Sequence, residues 1–239
     1  MAVNSWSHSK LVDFEKCKKM FWLKHDQRIP EPERPLPPGK SEHANDRGSR
    51  LHDNAEMYVS GQEYDLLPEV AKHFGPQLDL LRVLYEEGRV SLEGEWGMSK
   101  TWEPAPWAIA WLRLKLDALV FWSDTEATAI DYKSGKKYGN EIKHGEQLQL
   151  YQLATFLRYP KLEVVHTALW YLDINEVTEK TFTRQQGLFF KKGFDQRGVK
   201  ITTCNEFPAN GNIHSCKWCR YGDRPDGTGS GHCKEGVWR

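Results

Sequence analysis

Ala129-Ile130-Asp131-Tyr132-Lys133-Ser134-Gly135-Lys136 is the stretch from which the rest of the chain can be read. A short β-prone run enters a Ser-Gly turn, so the segment reads as a strand within Ala127 to Lys133. Side chains two apart on a strand share a face, which sets Asp131 beside Lys133 and turns Ile130 and Tyr132 the other way. Upstream, the run Ala108 to Trp122 alternates Leu112, Leu114 and Leu116 with Arg113, Lys115 and Asp117, and a hairpin brings Asp117 opposite Asp131. Two carboxylates on adjacent strands suit a hard cation such as Mg²⁺, which takes oxygen ligands and keeps some of its waters. Beside such an ion, Lys133 can stabilise or orient an attacking hydroxide. Glu93 and Glu95 share one face of a strand beginning at Val90, and either can supply a further oxygen. Carboxylate-x-lysine alone is a weak signal, because Glu141-Ile142-Lys143 repeats it in a Lys/Gly/Asn-rich loop without a partner carboxylate. On Asp117, Asp131 and Lys133 alone, a surface ion-pair cluster at a sheet edge is an equal reading.

Working outward, Leu11, Phe14, Met20, Phe21 and Leu23 give Ser9 to His25 a helical stripe, and the prolines between Pro30 and Pro38 forbid helix after it. Ser49 can cap a helix carrying Leu51, Ala55, Tyr58 and Val59 on one stripe, and a second helix spans roughly Pro68 to Glu87. Three strands from Val90 to Lys133 form a meander. A helix from Glu146 to Arg158 and a hairpin from Val164 to Arg184 complete the pattern. The expected architecture is α/β, with a central mixed sheet flanked by helices and a metal-clipped C-terminal tail. We expect a single domain over 1–239, made of an N-terminal helix (1–29), a Pro-rich linker (30–47), a core (48–200) and a Cys-rich tail (201–239).

The 239 residues are 39% hydrophobic and 28% charged, values of an ordinary globular chain that exclude disorder and collagen-like repeats. No apolar run is long enough to span a membrane, and Met1 to Lys10 lacks a secretory pattern, so the expected location is cytoplasmic without membrane attachment. Thirty-three basic and thirty-three acidic residues cancel. Any polyanion must therefore be held by local patches. The acidic excess from Asp53 to Glu95 reads as the solvated face of a helix pair. Of the ten tryptophans, those from Trp96 to Trp122 read mostly as core, with one or two available for base stacking.

Several pieces taken together carry a resemblance. Ser7-His8-Ser9-Lys10-Leu11 leads to Phe14 and Cys17. Gly48-Ser49-Arg50-Leu51-His52, Leu116-Asp117, Asp131-Tyr132-Lys133-Ser134-Gly135-Lys136 and Gln147-Leu148-Gln149-Leu150-Tyr151 follow in order. Their order and spacing resemble the RecB-type branch of the PD-(D/E)XK nucleases across nearly the whole chain. The resemblance implies a restriction-endonuclease-like core and a metal-dependent DNA nuclease. It assigns His52, Asp117 and Asp131 as ligands of Mg²⁺ or Mn²⁺, Lys133 as the catalytic lysine, and Gln147 and Tyr151 to the DNA-facing side. Glu93 or Glu95 matches the additional acidic position, Glu95 being taken as the catalytic candidate. Arg47 and Arg50 before His52, with Lys136, Lys137 and Lys143 after the catalytic strand, are expected to hold phosphates rather than read bases. An exonuclease acting on DNA ends is the first reading. A catalytically silent module that binds DNA ends or a protein partner is the alternative.

Five cysteines form a second constellation. Cys216-Lys217-Trp218-Cys219 is a C-x2-C knuckle, with Cys204 before it and Cys233 after it. In a reducing compartment that spacing reads as metal before disulfide. Nucleases of this branch related to AddB and to the CRISPR-adaptation exonucleases hold a [4Fe–4S] cluster with one early and three late cysteines, an arrangement that Cys17, Cys216, Cys219 and Cys233 resemble. The longer gap before Cys233 departs from the family spacing. A zinc site using Cys204, His214 or His232 is a second possibility, and thiols that are simply small buried residues a third.

Overall fold

The structure is a computed structural model that describes residues 3–135, 137, 139 and 141–238, without the side chain of Glu93. Lys136 lies outside the described residues. The chain runs through α1 (His8–Lys16), α2 (Lys18–Phe21), a π turn (Trp22–Asp26), α3 (Ala44–Val59), α4 (Pro68–Glu86), β1 (Val90–Met98), β2 (Pro104–Ala105) and a 3-10 turn (Trp107–Ile109). It continues through β3 (Leu112–Phe121), β4 (Glu126–Lys133), α5 (Glu141–Arg158), β5 (Val164–Tyr171), β6 (Glu176–Thr183), α6 (Arg184–Phe189), α7 (Lys191–Thr203) and α8 (Ile213–Cys216).

These elements divide into two compact units, Pro37–Lys192 and the pair of segments Met1–Leu36 and Gly193–Arg239. The first boundary falls among the prolines of the expected linker. The second falls before the expected end of the core, because Phe194 and Ile201 of α7 are buried and Phe194 stacks on the N-terminal Trp6 at 6.5 Å.

In the larger unit the described residues build a sheet of order β2-β1-β3-β4-β5-β6. β1, β3 and β4 form the antiparallel meander, β5 joins β4 in parallel, and β6 closes the edge antiparallel. Parallel neighbours need a crossover, which α5 supplies. On one face Leu51 and Ala55 of α3 and Phe74 and Leu78 of α4 bury against Ala118, Ile130, Tyr132 and Trp170. Leu148 of α5 packs against Leu169 and Tyr171 of β5. This is the expected mixed sheet with a strand meander flanked by helices.

Helix boundaries differ from the sequence reading at three places. α3 starts at Ala44 after an extended His43, so Ser49 lies inside the helix and does not cap it. α5 starts at Glu141, making Glu141-Ile142-Lys143 its first turn rather than a loop. A carboxylate in the first turn favours such a start by complementing the helix dipole. The expected N-terminal helix breaks at Cys17, whose backbone is extended (φ −161°, ψ 112°).

In the smaller unit, Ser7 caps α1 by accepting from the Lys10 amide. The two chain segments are tied by Arg197, which donates to both Glu15 oxygens at 2.7 Å, and by the Tyr221 hydroxyl, which donates to the Ile29 carbonyl at 2.8 Å. Among the described residues no helix is long and apolar enough to cross a membrane.

Candidate functional site

The β3–β4 ladder runs from Phe121–Ala127 to Ala118–Ile130 and stops one step before Asp117 and Asp131. Beyond it, the backbone amide of Tyr132 donates to Asp117 Oδ2 at 2.5 Å, so the carboxylate takes the place of a strand partner. Asp117 Oδ1 lies 3.3 Å from Nδ1 of His52 on α3, and the His52 ring meets Tyr132 edge-on. Buried Tyr132 therefore supports the imidazole while its backbone holds the carboxylate. α3 lies close to the turn after β4 at Gly48, where a Cβ would come 2.6 Å from Ser134 Oγ.

Asp131 points to the α5 side and is the most enclosed carboxylate of the group, with a side chain 7% exposed. Its Oδ1 accepts from Gln147 Nε2 and from the Tyr151 hydroxyl, both at 3.1 Å. Gln147 also donates to the Tyr151 oxygen at 2.6 Å and accepts from Lys133 Nζ at 2.9 Å. The spacing of four residues on α5 thus places one amide and one hydroxyl over the strand that carries Asp131 and Lys133. Lys133 Nζ stands 2.5 Å from Asp131 Oδ2 as an ion pair, yet that buried oxygen receives no aligned hydrogen bond.

The charges are interdependent. Burial raises the Asp131 pKa, Lys133 draws it down, Asp117 raises it again, and the net direction is upward. Burial pulls the His52 imidazole down, but its hydrogen bond to Asp117 and the charges of Asp117 and Asp131 outweigh this, leaving its pKa raised. Tyr151 is held far above the usual phenol range, chiefly by burial and then by the two aspartate charges, so it remains a donor. Among the described residues no three His, Cys, Asp or Glu side chains converge as a ready-made ligand set. The two carboxylates nonetheless suit a hard cation, and Asp131 offers a buried oxygen lacking an aligned donor.

Other expected site residues lie elsewhere. Glu95 is exposed and pairs with Lys115 at 3.3 Å, because the β1–β3 register sets it opposite Lys115 and not Asp117. The same register, through Leu92–Ala118 and Gly94–Leu116, carries position 93 past Asp117, but the Glu93 side chain lies outside the described residues. Arg50 does not present a free cation, because Glu42 holds it at 2.8 Å and Glu69 at 3.2 Å. Arg47 is 2.6 Å from Asp173, and Lys137 is 2.8 Å from Glu176. Lys143 is exposed in the first turn of α5.

Two neighbours were not singled out from the sequence. Asp173 contacts Arg47 and accepts from the Gly135 amide at 2.6 Å, linking α3 to the turn after Lys133. His144, one turn before Gln147, shares a 2.8 Å hydrogen bond with the Tyr171 hydroxyl. Burial, Lys133 and Lys143 together push its pKa down to about 4. Asp173 stands two residues past β5, whose end pairs Tyr171 with Lys133. A carboxylate just past a strand parallel to the site strand is the signal that could have found it.

In the smaller unit, Cys17, Cys216, Cys219 and Cys233 line one pocket with an empty volume of about 340 Å³ counted out to its mouth. Cys204 does not line it, and its thiol donates to the Glu206 carbonyl at 3.1 Å. His214 and His232 also stand outside the lining; His232 Nδ1 bonds Ser230 Oγ at 2.7 Å. Neither Cys204 nor a histidine thus shares the pocket of the other four cysteines. Burial, the leading cause, raises the Cys219 pKa and brings Cys233 up to about 11, so these thiols hold their protons when nothing else binds them.

No curated protein matches the sequence. Among solved structures, the chain resembles the crystal structure of SSO0001 at 14% identity, with 92% of this chain and 85% of that one covered and a TM-score of 0.39. It also resembles an alkaline exonuclease, LHK-Exo from Laribacter hongkongensis, at 13% identity, with coverages of 84% and 91% and a TM-score of 0.39. The family model described as PD-(D/E)XK nuclease superfamily matches residues 5–224, and the chain belongs to that superfamily.

Proposed function

We propose that this nuclease is a Mg²⁺- or Mn²⁺-dependent DNA exonuclease, with Asp117, Asp131 and His52 holding the cation and Lys133 acting on the attacking water. The observation that carries the reading is the grouping of Asp117, Asp131, Lys133 and His52, from three separate elements, around the point where the β3–β4 ladder ends. When bound, the cation polarises a phosphate oxygen and lowers the pKa of a coordinated water. Lys133 orients the attacking oxygen and offsets charge that gathers on the phosphate. Gln147 accepts from Lys133 and fixes where that ammonium points, while Gln147 and Tyr151 together hold Asp131 Oδ1. Asp117 is aimed by the Tyr132 amide, and His52 by the Tyr132 ring. Glu95 has no part in this arrangement.

The exonuclease part rests on the order of the motifs from Gly48 to Tyr151. End-labelled linear, closed circular and single-stranded DNA incubated with and without Mn²⁺ tests both parts. Shortening of linear DNA only with the metal, and an intact circle, is the expected result. A circle cut as fast as linear DNA would remove the exonuclease reading, and turnover in chelator would remove the metal.

In the smaller unit the same proposal places a [4Fe–4S] cluster on Cys17, Cys216, Cys219 and Cys233. Supporting it, the four thiols share one pocket although no three converge on a single-ion site. Such a cluster cross-links the early and late segments of that unit, and thiol ligation suits a reducing compartment such as the cytoplasm. Iron and sulfide quantification with a visible spectrum is the check. Loss of both in Cys219→Ser is expected, and iron-free brownless protein that melts normally contradicts the assignment.

A further inference from the structure

Asp117 is the last member of a longer polar row. Along β3, Leu112, Leu114 and Leu116 are buried while Arg113, Lys115 and Asp117 occupy the wetter face. At about 3.4 Å per residue, Lys115 stands about 7 Å and Arg113 about 14 Å from Asp117 along the strand. Those intervals suit successive phosphates of an extended polynucleotide. At the far end, the Arg113 guanidinium lies over the Trp107 ring, 5.3 Å from its centre, and Nη2 donates to the Ala108 carbonyl at 3.0 Å. Arg113 Nε is buried with no acceptor among the described residues. Arg47, Arg50 and Lys137 spend their charge on Asp173, on Glu42 and Glu69, and on Glu176, whereas no carboxylate among the described residues is paired with Arg113. Among the described residues Lys115 pairs with the exposed Glu95, the two side chains being 56% and 51% exposed. Such a pair is screened and easily exchanged for a phosphate.

We infer that Lys115, Arg113 and Trp107 form a track for the single DNA strand that leads away from the scissile phosphate at Asp117, with the two cations on successive phosphates and Trp107 stacked on an unpaired base. The inference rests on the nuclease site proposed above and extends it to the substrate. One strand is specified because the row is linear, the spacing is that of an extended chain, and a ring can stack only on a base freed from its complement. Charge complementarity and continuity with Asp117 choose the occupant. Trp107 and Arg113 support one another, since the half-buried ring keeps the guanidinium in place.

The test uses the full chain and a fluorescent single-stranded oligonucleotide, with Ca²⁺ in place of Mn²⁺ and binding measured by anisotropy across a KCl series. Lys115→Gln and Arg113→Gln should each lower the salt slope by about 0.7, the share of one single-strand phosphate contact. Trp107→Ala should weaken binding about fivefold or more with the slope unchanged. Glu95→Gln should tighten binding, a gain that misfolding cannot imitate. Wild-type affinity and slope in all three loss variants, or no tightening in Glu95→Gln, would overturn the track. Hydrolysis of a nitrophenyl ester of thymidine phosphate, too short to reach Lys115, separates the two levels of the argument. The track variants should keep the wild-type rate on it. A wild-type chain that cleaves neither this ester nor DNA would overturn the nuclease site and the track together.

Discussion

Replacing Gln147 by alanine separates positioning from metal binding. The amide makes three contacts, accepting from Lys133 Nζ at 2.9 Å and donating to Asp131 Oδ1 at 3.1 Å and to the Tyr151 oxygen at 2.6 Å. Two of the partners are charged, and a hydrogen bond to a charged group contributes about 1.5–3 kcal/mol. Simple addition overstates the loss, because Tyr151 still donates to Asp131 Oδ1 and Lys133 still pairs with Oδ2. What disappears is the constraint on where the Lys133 ammonium points, so we take about 2–3 kcal/mol, or about 30- to 160-fold in rate. Steady-state cleavage of end-labelled linear DNA in Mn²⁺, with a thermal melt and an Mn²⁺ titration on the same preparation, measures it. The fall should appear in kcat, with metal affinity within a few-fold of wild type. A kcat within threefold of wild type would refute the positioning role, and a parallel collapse of Mn²⁺ affinity would make Gln147 part of the metal site instead.

Arg50→Ala should leave DNA affinity within about twofold, because Glu42 and Glu69 already neutralise the guanidinium; a steep loss in a filter-binding assay would restore Arg50 as a phosphate contact. Asp173→Ala removes the link between Arg47 and the Gly135 amide, partly solvent-exposed contacts worth together about 1–2 kcal/mol, so Tm should fall by about 2–8 °C in differential scanning calorimetry. His144 should titrate at about 4 by NMR, and Lys133→Met should raise that value because the Lys133 charge helps to depress it. Since the folded imidazole resists a proton that the unfolded chain accepts, its contribution to stability is present above the ordinary histidine pKa and is lost as pH falls toward about 4. A His144→Asn chain should therefore lose less stability than wild type across that window, and equal losses would contradict the assignment.

The site strand and the helix above it were legible because each depends on a short periodicity. Period two places Asp131 with Lys133, and a spacing of four places Gln147 with Tyr151; both survive errors of several residues in where an element starts. α5 shows this, since it begins at Glu141 rather than Glu146 without disturbing its inner face. What could not be read depends on pairing between distant segments. Choosing between Glu93 and Glu95 needs the β1–β3 register, a single ladder offset that strand periodicity leaves open. Arg50 looked available because Glu42 and Glu69 are remote or unremarkable in sequence. The division into two units was hidden for the same reason, as Trp6 and Phe194 meet across most of the chain. That Cys17 lines one pocket with Cys216, Cys219 and Cys233, while Cys204 does not, depends on how the early and late segments fold together and could not be read from spacing.

Mn²⁺ affinity, measured by electron paramagnetic resonance on wild type, Asp117→Asn, Asp131→Asn and Lys133→Ala chains that melt alike, tests the heart of this account. It predicts that the ion is lost with either aspartate and kept without the lysine, while DNA cleavage disappears in all three variants. Undiminished Mn²⁺ binding in both aspartate variants would contradict it.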